Sequence, residues 1–149
     1  MRAKVALSVL LGAAAAACYH LYDGLEDQWT VYYSLQPAAG AAAGSCEPTV
    51  GYGTIELFRE RNAGLRGTFD RDSLACTSTG GSVTVRAGRD SIISGQVFDL
   101  EQDSLEFTFG NPDWVFRGSQ IERHMLRGFT TLTANDSVVF TGWWQAERR

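Results

Sequence analysis

Few side chains in this 149-residue chain could do covalent or acid–base chemistry: three Cys, two His and the carboxylates. A nucleophilic or metal-dependent site needs several such groups converging on one point. Their spacing here does not supply that. There is no Gly-x-Ser-x-Gly elbow, no His-Glu-x-x-His and no Cys-x-x-Cys. His20 lies two residues after Cys18 and reads as tether, while His124 falls at a hairpin corner next to Glu122 and Arg123. An acidic metal loop would need several oxygen ligands close together, and the recurrent Asp-Ser-aliphatic pattern offers one Asp per turn. Gly80-Gly81 reads as a hairpin turn, because no helix follows it to hold a phosphate. The expectation is a protein with no catalytic residues, no metal and no cofactor. The remaining enzymatic option is hydrolysis or isomerisation with Glu122 or Asp99 as acid or base, which would require a raised carboxylate pKa in a closed pocket.

Composition narrows the partners. The chain is 44% hydrophobic and 20% charged, as expected of one folded domain, and disorder is excluded. Its net charge of −4 lacks the basic footprint of a nucleic-acid binder.

The three Cys have separate roles. Residues 1–17 read as a signal peptide: Arg2 and Lys4 give a positive start, Val5–Leu11 an apolar run, and Gly12–Ala17 small residues. The apolar and small-residue stretch is too short to span a bilayer comfortably; the alternative is a buried helix of the mature domain. Ala15-Ala16-Ala17-Cys18 resembles the lipobox of bacterial lipoproteins, although the preferred Leu three before the Cys is absent. The resemblance implies cleavage before Cys18, lipidation of that Cys, a tether over 18–27 and a membrane partner at the cell envelope. The competing reading is ordinary cleavage and a soluble secreted protein. Lipid on Cys18 would leave Cys46 and Cys76 as an even pair in an oxidising compartment, which favours a disulfide over two free thiols. Removing Arg2 and Lys4 from the 13 basic residues leaves 11 against 17 acidic ones. That charge keeps the domain soluble and off anionic headgroups.

What positions these groups is an all-β body over 28–149. Alternation with a period of two, bounded by Gly, Asn, Asp and Ser, predicts strands at Gln28–Leu35, Gly53–Glu60, Gly64–Asp70, Leu74–Thr77, Ser82–Ala87, Ile92–Leu100, Ser104–Phe109, Trp114–Glu122, His124–Thr133 and Ser137–Ala146. Pro37–Ser45 reads as a loop or a short Ala-rich helix. An apolar-x-Gly pattern recurs at Gly67, Gly95, Gly118, Gly128 and Gly142, each in phase with apolar neighbours such as Leu65 and Phe69, Ile93 and Val97, or Phe140 and Trp144. Glycine inside a strand weakens it, so repeated use marks bends or close backbone approach; sheets that coil and close use such kinks. The opposite face carries Arg66, Asp70, Arg117 and Arg127. These features predict an antiparallel up-and-down meander closing into a small barrel of 8–10 strands, with a β-sandwich as the alternative. The pattern from Trp29 to Arg149 resembles the lipocalin and fatty-acid-binding barrels, although Trp29 is preceded by Asp27-Gln28 and lacks their Gly-x-Trp.

Such a barrel predicts a lumen lined by Trp114, Phe116, Phe140 and Trp144, with Gln120 and Glu122 near one rim. A small apolar or amphipathic ligand would fit there; the alternative places the polar groups at strand ends in water. The same alternation puts Phe98, Phe129 and Trp143 outside, with Phe129 and Trp143 on neighbouring strands. Clustered there, they would make a partner-binding patch. The sequence therefore supports two roles, a ligand in an open lumen or an envelope protein with a filled core acting through its outer face. It does not name a protein partner.

Overall fold

Alternation resolves into strands with few changes of boundary. The computed structural model describes residues 25–38, 43–99, 104–110, 113–134 and 138–149. The expected signal peptide, Cys18 and the side chain of Asp99 lie outside the described residues. Twelve strands are present among them: β1 (Asp27–Pro37), β2 (Gly44–Glu47), β3 (Gly51–Arg59), β4 (Leu65–Arg71), β5 (Leu74–Ser78), β6 (Gly81–Val85), β7 (Gly88–Ser91), β8 (Ser94–Asp99), β9 (Ser104–Phe109), β10 (Asp113–Glu122), β11 (Met125–Ala134) and β12 (Val138–Arg148).

The main sheet runs β7-β4-β3-β1-β12-β11-β10-β9-β8, with every pair antiparallel. Its two ends are one stretch of chain. β7 pairs with β4 and, after a break at Ile92–Ile93, β8 pairs with β9. The amide of Ile92 donates to Gly67 and that of Ile93 to Thr108, so the bent strand stitches the sheet shut. A bridge between Gly64 and Gln96 adds to the seam. Counting β7 and β8 as one strand gives a closed barrel of eight, which removes exposed sheet edges. The break corrects the expected Ile92–Leu100 strand: Ile93 lies at the bend and is exposed rather than inward-facing.

Gly67, Gly95, Gly118, Gly128 and Gly142 all share a side with buried apolar residues two positions away. Close backbone approach explains their use. Gly118 and Gly128 stand opposite each other on β10 and β11, and a Cβ on Gly118 would sit 2.9 Å from the Arg127 carbonyl carbon and 2.7 Å from the Trp144 ring. Trp144 lies across this side-chain-free strip and donates its indole N–H to the Arg117 carbonyl at 3.1 Å.

The sequence-level loop at Pro37–Ser45 contains the start of β2, a strand too short for alternation to reveal. β2, β5 and β6 form a separate three-stranded sheet in which Cys46 faces Cys76 and the two are bonded. Its inner face (Cys46, Leu74, Cys76, Val83 and Val85) belongs to the same core as the barrel. The small sheet therefore covers the barrel end where β1 finishes. At the other end Leu25 is 3% exposed and its carbonyl accepts the Trp29 indole N–H at 3.1 Å. The expected tether over 18–27 is thus shortened, because Leu25 packs into the core and Asp27 already begins β1.

Candidate functional site

The rings expected to line a lumen fill it. Trp114, Phe116, Phe140 and Trp144 are all at most 2% exposed. Trp114 meets Tyr33 edge-on at 4.9 Å between centroids, Phe116 stacks on Phe107 at 5.1 Å, and Phe107 meets Trp144 at 5.6 Å. Phe69 and Phe109 close the cluster from the other side, 5.2 Å apart. An eight-stranded barrel is only just wide enough for side chains, and rings of this size meet in the middle. Alternation tells which residues point inward, but not whether they leave a gap. The polar atoms within the cluster are served locally: Trp114 donates to Thr130 Oγ1 at 2.7 Å, and that hydroxyl donates to the Val115 carbonyl at 2.9 Å.

Of the two polar groups expected near a rim, Gln120 keeps its phase and is half-buried opposite Leu126, whereas Glu122 leaves the inner face. β10 slips by one residue between Gln120 and Glu122, a bulge that breaks the alternation. Glu122 is carried outward and pairs with His124 at 3.3 Å, both side chains exposed. Gln120 donates to the Arg123 carbonyl at 3.3 Å. Among the described residues there is no group of three His, Cys, Asp or Glu able to hold a metal.

The inner face also carries a buried arginine, paired with a partly exposed carboxylate, that the sequence pattern did not single out. Arg71 follows Leu65, Gly67 and Phe69 in phase and is 9% exposed, with its guanidinium 2.7 Å from the Asp90 carboxylate. That contact is an ion pair without hydrogen-bond alignment, because the same nitrogen makes no hydrogen bond among the described residues. The nearby Tyr33 hydroxyl also has no partner there. Burial pushes the Tyr33 pKa up to about 12, with Arg71 opposing the rise and Asp72 adding to it. The signal for Arg71 was present in its register. The Asp90-Ser91 pair, expected to start a turn, lies within β7, where Asp90 faces this arginine.

A concave site lies on the outer wall across β8–β12. A groove of about 930 Å³ is lined by Phe98, Ile121, Phe129, Trp143, Arg127 and Ser119, with backbone at Gly118 and Gly128 contributing to its wall. Register explains the assembly. Glu106, Arg117, Phe129 and Trp143 stand side by side in one outward row, and Ser104, Ser119, Arg127 and Gln145 in the next. The expected neighbouring of Phe129 and Trp143 is therefore met as a direct cross-strand pair. Phe129 is 78% exposed, Phe98 57%, Trp143 46% and Ile121 44%. Phe98 stands at the irregularity in β8 between Val97 and Asp99, and Ile121 at the β10 bulge. Alternation also points Ile121 outward, but nothing in its spacing marks it as a neighbour of Phe98, Phe129 and Trp143. Arg117 is ion-paired with Glu106. Arg127 has no ion pair among the described residues.

The chain is similar to two designed proteins. One is a redesigned β-barrel, with 13% identity and a TM-score of 0.49 over 85% of this chain and 93% of that one. The other is a de novo designed fluorescence-activating β-barrel, with 14% identity and a TM-score of 0.45 over 85% and 95%. No protein-family model matches the chain, and no curated protein matches it.

Proposed function

We propose that this chain is an exported, non-enzymatic β-barrel domain, tethered to a bacterial envelope membrane by lipid on Cys18, that binds its target at the outer wall rather than in the lumen. One observation carries the outer-wall reading. The interior is packed with rings, while four large apolar side chains stay in solvent around one groove. Exposed apolar clusters of this kind mark binding surfaces. The tether reading is supported by the resemblance of residues 1–18 to a lipoprotein signal and by the Cys46–Cys76 bond, which suits an oxidising compartment. That bond also leaves Cys18 without a cysteine partner in the chain, since the sequence holds three Cys.

Native mass spectrometry of protein extracted from membranes of an expressing bacterium tests the tether. The expected species begins at Cys18, carries acyl mass and lacks two hydrogens for the bridge. A Cys18→Ser variant should then leave the membrane fraction. A wild-type species cut elsewhere, unacylated and found in the soluble fraction, would replace the tether with free secretion.

A further inference from the structure

The groove combines features that a plain protein-contact patch does not need. Its centre is a polar row, Ser104, Ser119, Arg127 and Gln145, with Phe129 and Trp143 along one side, Ile121 on the other and Phe98 at the β8 end. The Ser104 and Ser119 hydroxyls lie 3.5 Å apart. Of the two guanidiniums in the groove, Arg117 is ion-paired with Glu106, whereas Arg127 has no ion pair among the described residues. Gln145 turns its amide toward Glu147, donating to that carboxylate at 3.0 Å. Among the described residues the groove thus holds one cation without an ion pair, beside hydroxyl groups and in an aromatic wall. The volume falls within the range of about 300–1,000 Å³ usual for small-molecule sites.

We propose that this groove binds a free amphipathic carboxylate, with the carboxylate on Arg127 and the apolar chain lying against Phe129 and Trp143. The proposal rests on the outer-wall reading above and names the chemistry of its occupant. Charge complementarity selects the headgroup: a guanidinium fork matches a carboxylate, and hydroxyls alongside can supply further donors. A neutral amphiphile would leave Arg127 unmatched, and a cationic one would be repelled. The exposed rings select the apolar body, because covering them removes their surface from water.

The chain offers its own probe. Trp29, Trp114 and Trp144 are buried and Trp143 is not, so a change in the emission of exposed indole reports the groove. Dodecanoate, kept below its micelle concentration, is titrated into the protein and compared with dodecanol. The expected result is a saturable blue shift with dodecanoate, bound about tenfold or more tightly than dodecanol, the scale of one charge-assisted hydrogen bond. Arg127→Gln should remove that preference while leaving dodecanol affinity unchanged, and Arg127→Lys should restore part of it. Phe129→Ala should weaken both ligands. Equal affinities of the wild type for the two ligands would overturn the carboxylate assignment while leaving the outer wall in place. Saturable binding that is indifferent to Phe129→Ala, or a blue shift that persists in Trp143→Phe, would place the ligand elsewhere and overturn the outer-wall reading as well. Failure of dodecanoate to bind, with the same Trp143 shift produced instead by phosphatidylglycerol vesicles or by self-association at higher protein concentration, would replace the free carboxylate by a membrane or by a second copy.

Discussion

Gly142→Ala tests why glycine recurs on the inner wall. Gly142 stands opposite Leu35 across the β1–β12 ladder. A Cβ there would lie 2.7 Å from the Ser34 carbonyl carbon and 3.0 Å from Leu35 Cα, and nearer still to the Ser34 oxygen. Ordinary contact begins at 3.4 Å, so the two strands must separate by at least about 0.7 Å at this point. A ladder hydrogen bond of about 2.9 Å lengthened that far is lost. Losing one or two such bonds costs about 1–3 kcal/mol, and strain in the packed wall adds a further 1–3 kcal/mol or so. The loss of chain freedom in the unfolded state returns only about 0.4–1 kcal/mol. A net loss of about 3 kcal/mol follows, a large share of the roughly 5–15 kcal/mol that holds a domain together. For a domain of this size the melting midpoint should fall by about 10 °C. Thermal and urea unfolding, followed by near-ultraviolet circular dichroism, measures it. Gly80→Ala is the control, since a Cβ there meets nothing nearer than the Ser78 hydroxyl at 3.7 Å; it should stay within about 0.5 kcal/mol of wild type. A Gly142→Ala protein that melts within 2 or 3 °C of wild type would refute the close-approach argument.

Three other outcomes follow from the interior. Thr130→Val removes the acceptor of the buried Trp114 indole and should cost about 1–3 kcal/mol in urea denaturation; an unchanged midpoint would mean the indole finds another partner. Opening the Cys46–Cys76 bond by Cys→Ser at both positions frees a separation of 30 residues and should cost about 3 kcal/mol, read in the same assay. Tyr33 titrates near 12 when folded against an ordinary value of 10, so the unfolded chain loses its proton first as pH rises. The stability that this phenol contributes is present in full below pH 10 and is lost progressively between pH 10 and 12, by about 2–3 kcal/mol. Tyr33→Phe should flatten that alkaline fall at little cost near neutral pH, because the hydroxyl has no hydrogen-bond partner among the described residues. A fall of equal size in wild type and variant would assign it to other groups.

Much of the fold was legible because alternation is a local property. The inward glycines, the outward arginines and the Phe129–Trp143 neighbourhood each follow from spacing within one or two strands. What escaped depends on breaks in that spacing. The bulge after Gln120 turned Glu122 out to solvent, and the bend at Ile92–Ile93 let one strand serve both edges of the seam. β2 was hidden because four residues in an Ala- and Gly-rich stretch carry no period. The candidate site was misplaced for a different reason: inward direction is written in the sequence, whereas the remaining free volume is a sum over rings from β1, β4, β9, β10 and β12. Arg71 shows the converse. Its phase placed it inside, yet only Asp90 on a separate strand explains how a charge is tolerated there.

A barrel filled by its rings, with the working surface outside, is tested most directly by the tryptophans. In a Trp143→Phe variant the three remaining indoles belong to the packed interior. Acrylamide quenching of its fluorescence should be nearly abolished relative to wild type, with emission at short wavelength. Quenching that persists at the level of an exposed indole would show that small molecules reach the barrel interior, and would return the binding site to the lumen.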